Sequence, residues 1–328
     1  MRVSTFVRDL SDSGLRWLKQ IGIDDVVLRL EYVPEYAESG CLQDATLREL
    51  VDRFESFGLR IGMANLAIGH LWDIYFDRLG AEQQMENVCL LIPRLANVGI
   101  DLLGVKQNNA QYLPPASLPG RATGRGRGGY VRRGIDLTEA RKTMDAPVGP
   151  VAEETVWAGY HRLLKSILPV AEKAGMRLAH HGNDPPIPEY RGLPHVLRNF
   201  ESFDRLFSEF PSASHGMTYC VGTRYESGEN VIDGIRRFGG SKRIFHVHFR
   251  NVIGAIATTG KYLESFLDDG DMDMGALISE LRATHYDGFI NIDHIPTLDG
   301  DSPDWKMGSS WLVGYTKALL KVRDPISL

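Results

Sequence analysis

Short runs dense in aliphatic and β-branched residues alternate with long amphipathic runs along the whole chain. The short runs predict strands at 2–6, 25–30, 59–65, 101–107, 176–182, 216–221, 244–251 and 289–295. Between them, apolar residues recur every three or four positions over 45–57, 82–98, 154–174, 274–283 and 310–322, which predicts helices. Gly22, Gly58, Gly99, Gly175 and Gly288 precede strands at positions that suit helix C-termini. Eight strand-then-helix units predict an α/β fold, a (β/α)8 TIM barrel forming a single domain over 1–328, because a doubly wound sheet rarely uses eight. In such a barrel the chemistry belongs at the C-terminal strand ends and the loops after them.

One connection breaks this rhythm. From 108 to 152, after the fourth strand, no periodic segment is visible, and the stretch contains PGRATGRGRGGYVRRG. A long insertion in a compact domain is expected to be a lid or binding loop, with a solvated insertion as the alternative. Five arginines, Arg121, Arg125, Arg127, Arg132 and Arg133, lie among glycines that let a guanidinium approach an anion. Arg125 and Arg127 are therefore expected to bind substrate. Asn108 and Glu31, with Asn65, Lys106 and Gln107, stand at strand ends where they would meet sugar hydroxyls.

The 37 basic and 42 acidic residues give a net charge of -5, so no global field draws the chain to nucleic acid or to an anionic membrane. Small molecules or copies of itself are the expected partners. Three scattered cysteines, Cys41, Cys89 and Cys220, are too few for a disulfide framework and point to a reducing compartment. The N-terminus lacks the apolar core of a signal peptide, and no stretch reaches the roughly 18 apolar residues of a membrane span, so a cytoplasmic location is expected.

Strand ends five to eight carry His180-His181, then Cys220, then His246 and His248, then Asp293-His294. A lone strand histidine is usually a core residue, but four consecutive strands delivering metal-competent side chains at one end favour a site. Imidazole, thiolate and carboxylate together suit a divalent transition ion such as Zn, Fe, Co or Mn. His246 and His248 share a face, with His248 nearer the mouth and His246 a layer deeper. His180 and His181 point oppositely, and the pleat alone leaves the choice between them open.

These residues resemble the mannonate dehydratases, metal-dependent xylose-isomerase-like barrels of hexuronate breakdown and carbohydrate metabolism. The resemblance rests on HGNDPP (His181 to Pro186) followed by GLPHVL, on CVGT, on VHFR and on IDH, in that order. It implies a metal held by His181, Cys220, His248 and Asp293, most simply Mn2+ or Fe2+, with Zn2+, Co2+ or Mg2+ as alternatives. It also implies proton transfer by His294, with Arg250 beside the ligand histidine as a catalytic guanidinium that grips a carboxylate or as a structural ion pair. Three departures stand out. Gly182-Asn183 replaces the family's Pro-Asp, which is expected to remove a carboxylate near the site. MGSSWLVGY has Ser310 or Trp311 where the family has a tyrosine, with Tyr315 expected to be a packed helix residue. The insertion lacks the family's Asp-Trp-Thr-Arg.

The implied reaction is that of a hydro-lyase, the dehydration of D-mannonate or a close aldonic acid to a 2-keto-3-deoxy acid. A metal-dependent sugar isomerase or epimerase on the same barrel is the first alternative, and a non-catalytic barrel binding a metal or sugar acid is the second.

Overall fold

A computed structural model describes residues 1–106, 118–146 and 149–322. Its strands are β1 (Arg2–Phe6), β2 (Asp25–Arg29), β3 (Arg60–Asn65), β4 (Leu102–Val105), β5 (Arg121–Arg125), β6 (Val131–Asp136), β7 (Arg177–His181), β8 (Glu189–Tyr190), β9 (Leu193–Pro194), β10 (His215–Cys220), β11 (Ile244–Phe249), β12 (Asn251–Ile253), β13 (Lys261–Ser265) and β14 (Phe289–Ile292). Eight of them, in the order β1-β14-β11-β10-β7-β4-β3-β2, close into a parallel barrel, the expected TIM fold.

The apolar runs become strands because both of their faces are covered. Val27, Met63, Leu102, Ala179, Phe245 and Phe289 fill the barrel interior, while the outward positions join the main core under the helices. The helices Asp44–Ser56, Ala81–Asn97, Glu153–Ala174, Met274–Ala283 and Lys306–Lys321 overlap the predicted ones. Gly22, Gly58, Gly99 and Gly175 take the left-handed backbone expected of them, with φ between 68° and 87°. Gly288 does not: its helix has already ended at Ala283, and His285 adopts the left-handed turn at φ 59°.

Two expectations are corrected. The apolar run 244–251 is not one strand. β11 stops at Phe249, and β12 leaves the barrel because the Asn251 amide is drawn to the carbonyls of Leu267 and Met272, each at 2.9 Å. The insertion is not without regular structure either. β5, β6 and the helix Leu137–Thr143 lie within it. The two strands join β12 and β13 in a four-stranded sheet of order β12-β13-β6-β5, with β6 antiparallel to β13. Glycine and arginine at alternate positions give no apolar period, so this pairing leaves no trace in the local sequence.

Candidate active site

β7, β10, β11 and β14 are neighbours in the barrel, and their C-terminal ends meet. His181 ends β7, Cys220 ends β10 opposite His248 on β11, and Asp293 follows β14. The ligand atoms of His181, Cys220 and His248 all lie within 4.8 Å of one another. Asp293 Oδ2 is 3.3 Å from His248 Nδ1. His180 faces outward instead, its ring 6.2 Å from Tyr160 on the helix Glu153–Ala174 and 5.0 Å from His215. His246 lies deeper, 3.4 Å from Thr218 Oγ1.

This donor set fits a divalent ion. Among the described residues the buried Nδ1 of His248 makes no well-aligned hydrogen bond and has the Asp293 carboxylate as its polar neighbour at 3.3 Å. Burial alone would push the Cys220 thiol up, but the Arg250 charge and hydrogen bonds with His181 and His248 outweigh it and hold it well below the usual thiol range. Burial likewise opposes the charge on Asp293, and His294 and His248 overcome it. A thiolate, two imidazoles and a carboxylate at one strand-end mouth are the ligand types of a mixed N, S, O site.

Arg250 is the hub beneath this cluster. Its guanidinium is 1% exposed and reaches Asp184 at 2.6 Å, Glu264 at 2.8 Å and Glu226 at 3.0 Å. Nε also lies 3.4 Å from Cys220 Sγ. These three carboxylates occupy its Nη atoms, Asp293 lies 3.7 Å from Nε, and Arg250 lines neither compartment of the mouth. Of the two roles weighed for it, the geometry is that of the structural ion pair. Burial raises the Glu226 pKa well above the carboxylate range in spite of Arg250, while Asp184, equally opposed by burial, is brought below it by Arg250.

Two compartments of about 230 and 270 Å³ share Arg8, Asp184 and His294 in their walls. His294 has a left-handed φ of 45°, a conformation that a non-glycine residue holds only where its surroundings enforce it. Its Nδ1 faces Glu264 and lies 2.8 Å from Arg250 Nη1, while Nε2 is 3.6 Å from Asp293 and 3.9 Å from Asp184. Burial and Arg250 lower its pKa, but Asp293 and Glu264 prevail and raise it to about 10.

The first compartment also holds Arg29, Asn65 and Lys106, so Arg8, Arg29 and Lys106 bring three cations to the cavity that His181, His248 and Asp293 line. Glu31 lies outside its wall and instead holds Arg29 at 2.5 Å. Asn108 and Gln107 lie outside the described residues. Arg125 and Arg127 line neither compartment: Arg125 donates to the Gly129 carbonyl, and Arg127 pairs with Asp268.

The departures from the family motifs now have physical reasons. A Cβ on Gly182 would stand 2.8 Å from Arg224 Nη2 and 3.0 Å from the Leu197 carbonyl, so a larger residue would require the Arg224 guanidinium to shift. Asn183 Oδ1 accepts from the Leu197 amide, and the next residue, Asp184, keeps a carboxylate in the mouth. Tyr315 stacks on Trp311 with ring centres 5.0 Å apart, a packed helix residue as expected.

Sequence reasoning missed Arg8, Arg29, Asp184, Tyr262 and Glu264. Arg8 and Arg29 stand at the ends of β1 and β2, where the barrel rule would have found them. Tyr262, whose hydroxyl donates to Asp184 Oδ1 at 3.1 Å, and Glu264 come from β13, which has no counterpart in the barrel periodicity.

The sequence profile of the family described as D-mannonate dehydratase (UxuA) matches residues 132–322. A mannonate dehydratase of Streptococcus uberis is 30% identical over 191 residues, which span 56% of this chain and 54% of that protein. One from Streptococcus agalactiae serotype Ia is 25% identical over 302 residues, 84% of this chain and 86% of the relative. The crystal structure of mannonate dehydratase from Streptococcus suis serotype 2 superposes with a TM-score of 0.82 at 23% identity, covering 97% of this chain and 93% of that one, a likeness of fold.

Proposed function

Because this chain belongs to the D-mannonate dehydratase family, we propose that it is a hydro-lyase converting D-mannonate, or a close aldonic acid, to a 2-keto-3-deoxy acid. In this reaction a proton leaves the carbon next to the carboxylate and the hydroxyl on the adjacent carbon departs with a proton as water. The remaining enol then becomes the ketone. The observation that carries the reading is one cavity lined by His181, His248, Asp293, three cations and His294, with the buried Cys220 completing a metal-competent group with His181 and His248 behind its wall.

The α-proton is weakly acidic because its removal places charge on the carboxylate. Arg8, Arg29 and Lys106 are the groups that would take that carboxylate and neutralise the charge as it grows. His181, Cys220, His248 and Asp293 would hold a divalent ion, Mn2+ or Fe2+ in this reading, which supplies further stabilisation of the enediolate charge. His294, kept protonated by Asp293 and Glu264, has Nδ1 turned to Glu264 and gives the departing hydroxyl a proton from Nε2, while Asp184, kept ionised by Arg250 in the same wall, is the carboxylate that takes the α-proton. Arg250 positions rather than reacts, since it holds Asp184, Glu264 and the Cys220 thiolate in one arrangement.

The test is to incubate the metal-loaded protein with mannonate, related aldonates and the matching aldoses and ketoses. The expected product is a 2-keto-3-deoxy acid from an aldonate. Isomerised sugar without any keto-deoxy acid would replace this reading with a sugar isomerase.

A further inference from the structure

The second compartment is left over by the reaction just described. It is walled by Arg8, Arg121 and Arg133, by Leu118, Ile135, Ile295 and Trp305, and by the Asp184, Glu264 and Tyr262 side of the hub. Its carboxylates are already matched, Asp184 by Arg250 and Glu264 by Arg250 and His294. Its arginines are not.

The five arginines of the glycine-rich stretch 121–133 divide by what they meet. Arg127 pairs with Asp268, Arg132 with Asp269, and Arg125 donates to a backbone carbonyl. Arg121 and Arg133, the two that line the compartment, have no carboxylate partner among the described residues. Arg133 donates to the neutral Thr297 hydroxyl at 2.6 Å. The segment 107–117 that precedes this wall contains no acidic residue to supply a partner. Arg8 completes the set, with a buried Nε that has no hydrogen-bond acceptor.

Two of these cations are held in place rather than loose. The guanidinium carbons of Arg8 and Arg133 lie 4.9 and 5.6 Å from the Trp305 ring. Trp305 has a left-handed φ of 57°, the second such non-glycine residue in the wall after His294. Backbone strain at both positions suits a constructed wall more than a fortuitous gap.

Cations therefore line two adjoining compartments, Arg29 and Lys106 the first and Arg121 and Arg133 the second, with Arg8, Asp184 and the proton-transferring His294 in the wall they share. A monoanionic aldonate uses only one of the two. We infer that the second compartment is an anion subsite, and that the preferred substrate is a sugar acid with a second anionic group at its far end. A terminal carboxylate, as in an aldarate, and a terminal phosphate share this chemistry. The inference rests on the dehydratase reading for the near end of the substrate.

The experiment compares kcat/KM for mannonate, for the matching hexarate and for 6-phosphomannonate, in the metal-loaded protein and in its Arg121→Gln, Arg133→Gln and Arg133→Lys variants. At least one dianion is expected to exceed mannonate by about tenfold or more, and which one does so identifies the anionic group. The glutamine variants should remove most of that preference, and Arg133→Lys should keep part of it. Arg121 is exposed, so its variant remains informative if a change at Arg133 impairs folding. Mannonate turnover with no preference for either dianion overturns the subsite and leaves the dehydratase reading standing. An equal loss for all three acids in the variants overturns it as well. If no acid is turned over, the dehydratase reading falls, and the subsite is judged by the calorimetric Kd ratio of dianion to mannonate.

Discussion

The Nε of Arg250 lies 3.4 Å from the Sγ of Cys220, so the thiol of the metal-competent cluster faces a guanidinium buried among three carboxylates. The thiolate state of Cys220 and folding stability are thereby tied to one residue. A charge removed from this hub leaves its partners uncompensated in a place with little water to replace it.

Replacing Arg250 with methionine is expected to destabilise the protein by about 3–5 kcal/mol, because Asp184, Glu226 and Glu264 would share a buried site without their cation. Urea denaturation measures this. Adding Glu226→Gln to the same variant should recover part of the loss, since Glu226 is fully buried and gains most from being neutral. A double variant no more stable than the single one would show that the hub is not balanced as described.

Replacing Cys220 with alanine should lower bound metal and activity together. Loss of an outer partner of a metal ligand typically weakens binding by about 10–100-fold, and loss of a ligand should cost at least the upper end of that range. Metal per chain after dialysis against a chelator, measured by plasma mass spectrometry, reads this directly. Full retention of metal would remove Cys220 from the ligand set.

His294→Asn should leave metal content intact and lower kcat by roughly 10²–10⁴-fold, the usual contribution of a positioned proton donor. The separation of the two readouts matters, because His294 adjoins Asp293 and a fall in metal content would signal a structural role instead.

Two buried histidines outside the cavity walls, His195 behind Pro185 and His215 beside Phe207, set an acid limit on stability. Burial lowers the pKa of both His195 and His215 to about 4, and the Nε2 of each has no hydrogen-bond partner. In the unfolded chain each takes up a proton near 6.5, so between about 6.5 and 4 the unfolded state binds more protons than the folded one. Stability is therefore complete above this window and falls as the pH drops through it, by up to roughly 3 kcal/mol per histidine. Urea midpoints at pH 7 and pH 4.5 measure the fall. His215→Phe, whose ring suits the neighbouring Phe207, should reduce the slope, and an unchanged slope would exclude His215 as a source.

The barrel and its metal-competent cluster were legible in the sequence for the same reason. Parallel strands covered on both faces must be continuous apolar runs, and side chains at their ends are placed by strand order and register, so Cys220 and His248 carry their own addresses, whereas His181 was preferred to His180 through the family resemblance. Even the choice of His248 over His246 followed from the pleat, which places the two on one face at different depths. What surrounds the cluster was decided only by tertiary structure. Glu264 and Tyr262 reach the mouth because β13 pairs with β6, which lies more than a hundred residues earlier in a run of glycine and arginine without apolar period. The roles of the arginines were equally hidden. Arg127 finds Asp268, Arg250 finds a cluster of carboxylates, and Arg121 and Arg133 find none among the described residues, although all are the same residue type in the sequence. Strand order and residue periodicity are local properties of a chain, whereas the partner of a charge depends on which distant segments folding brings beside it.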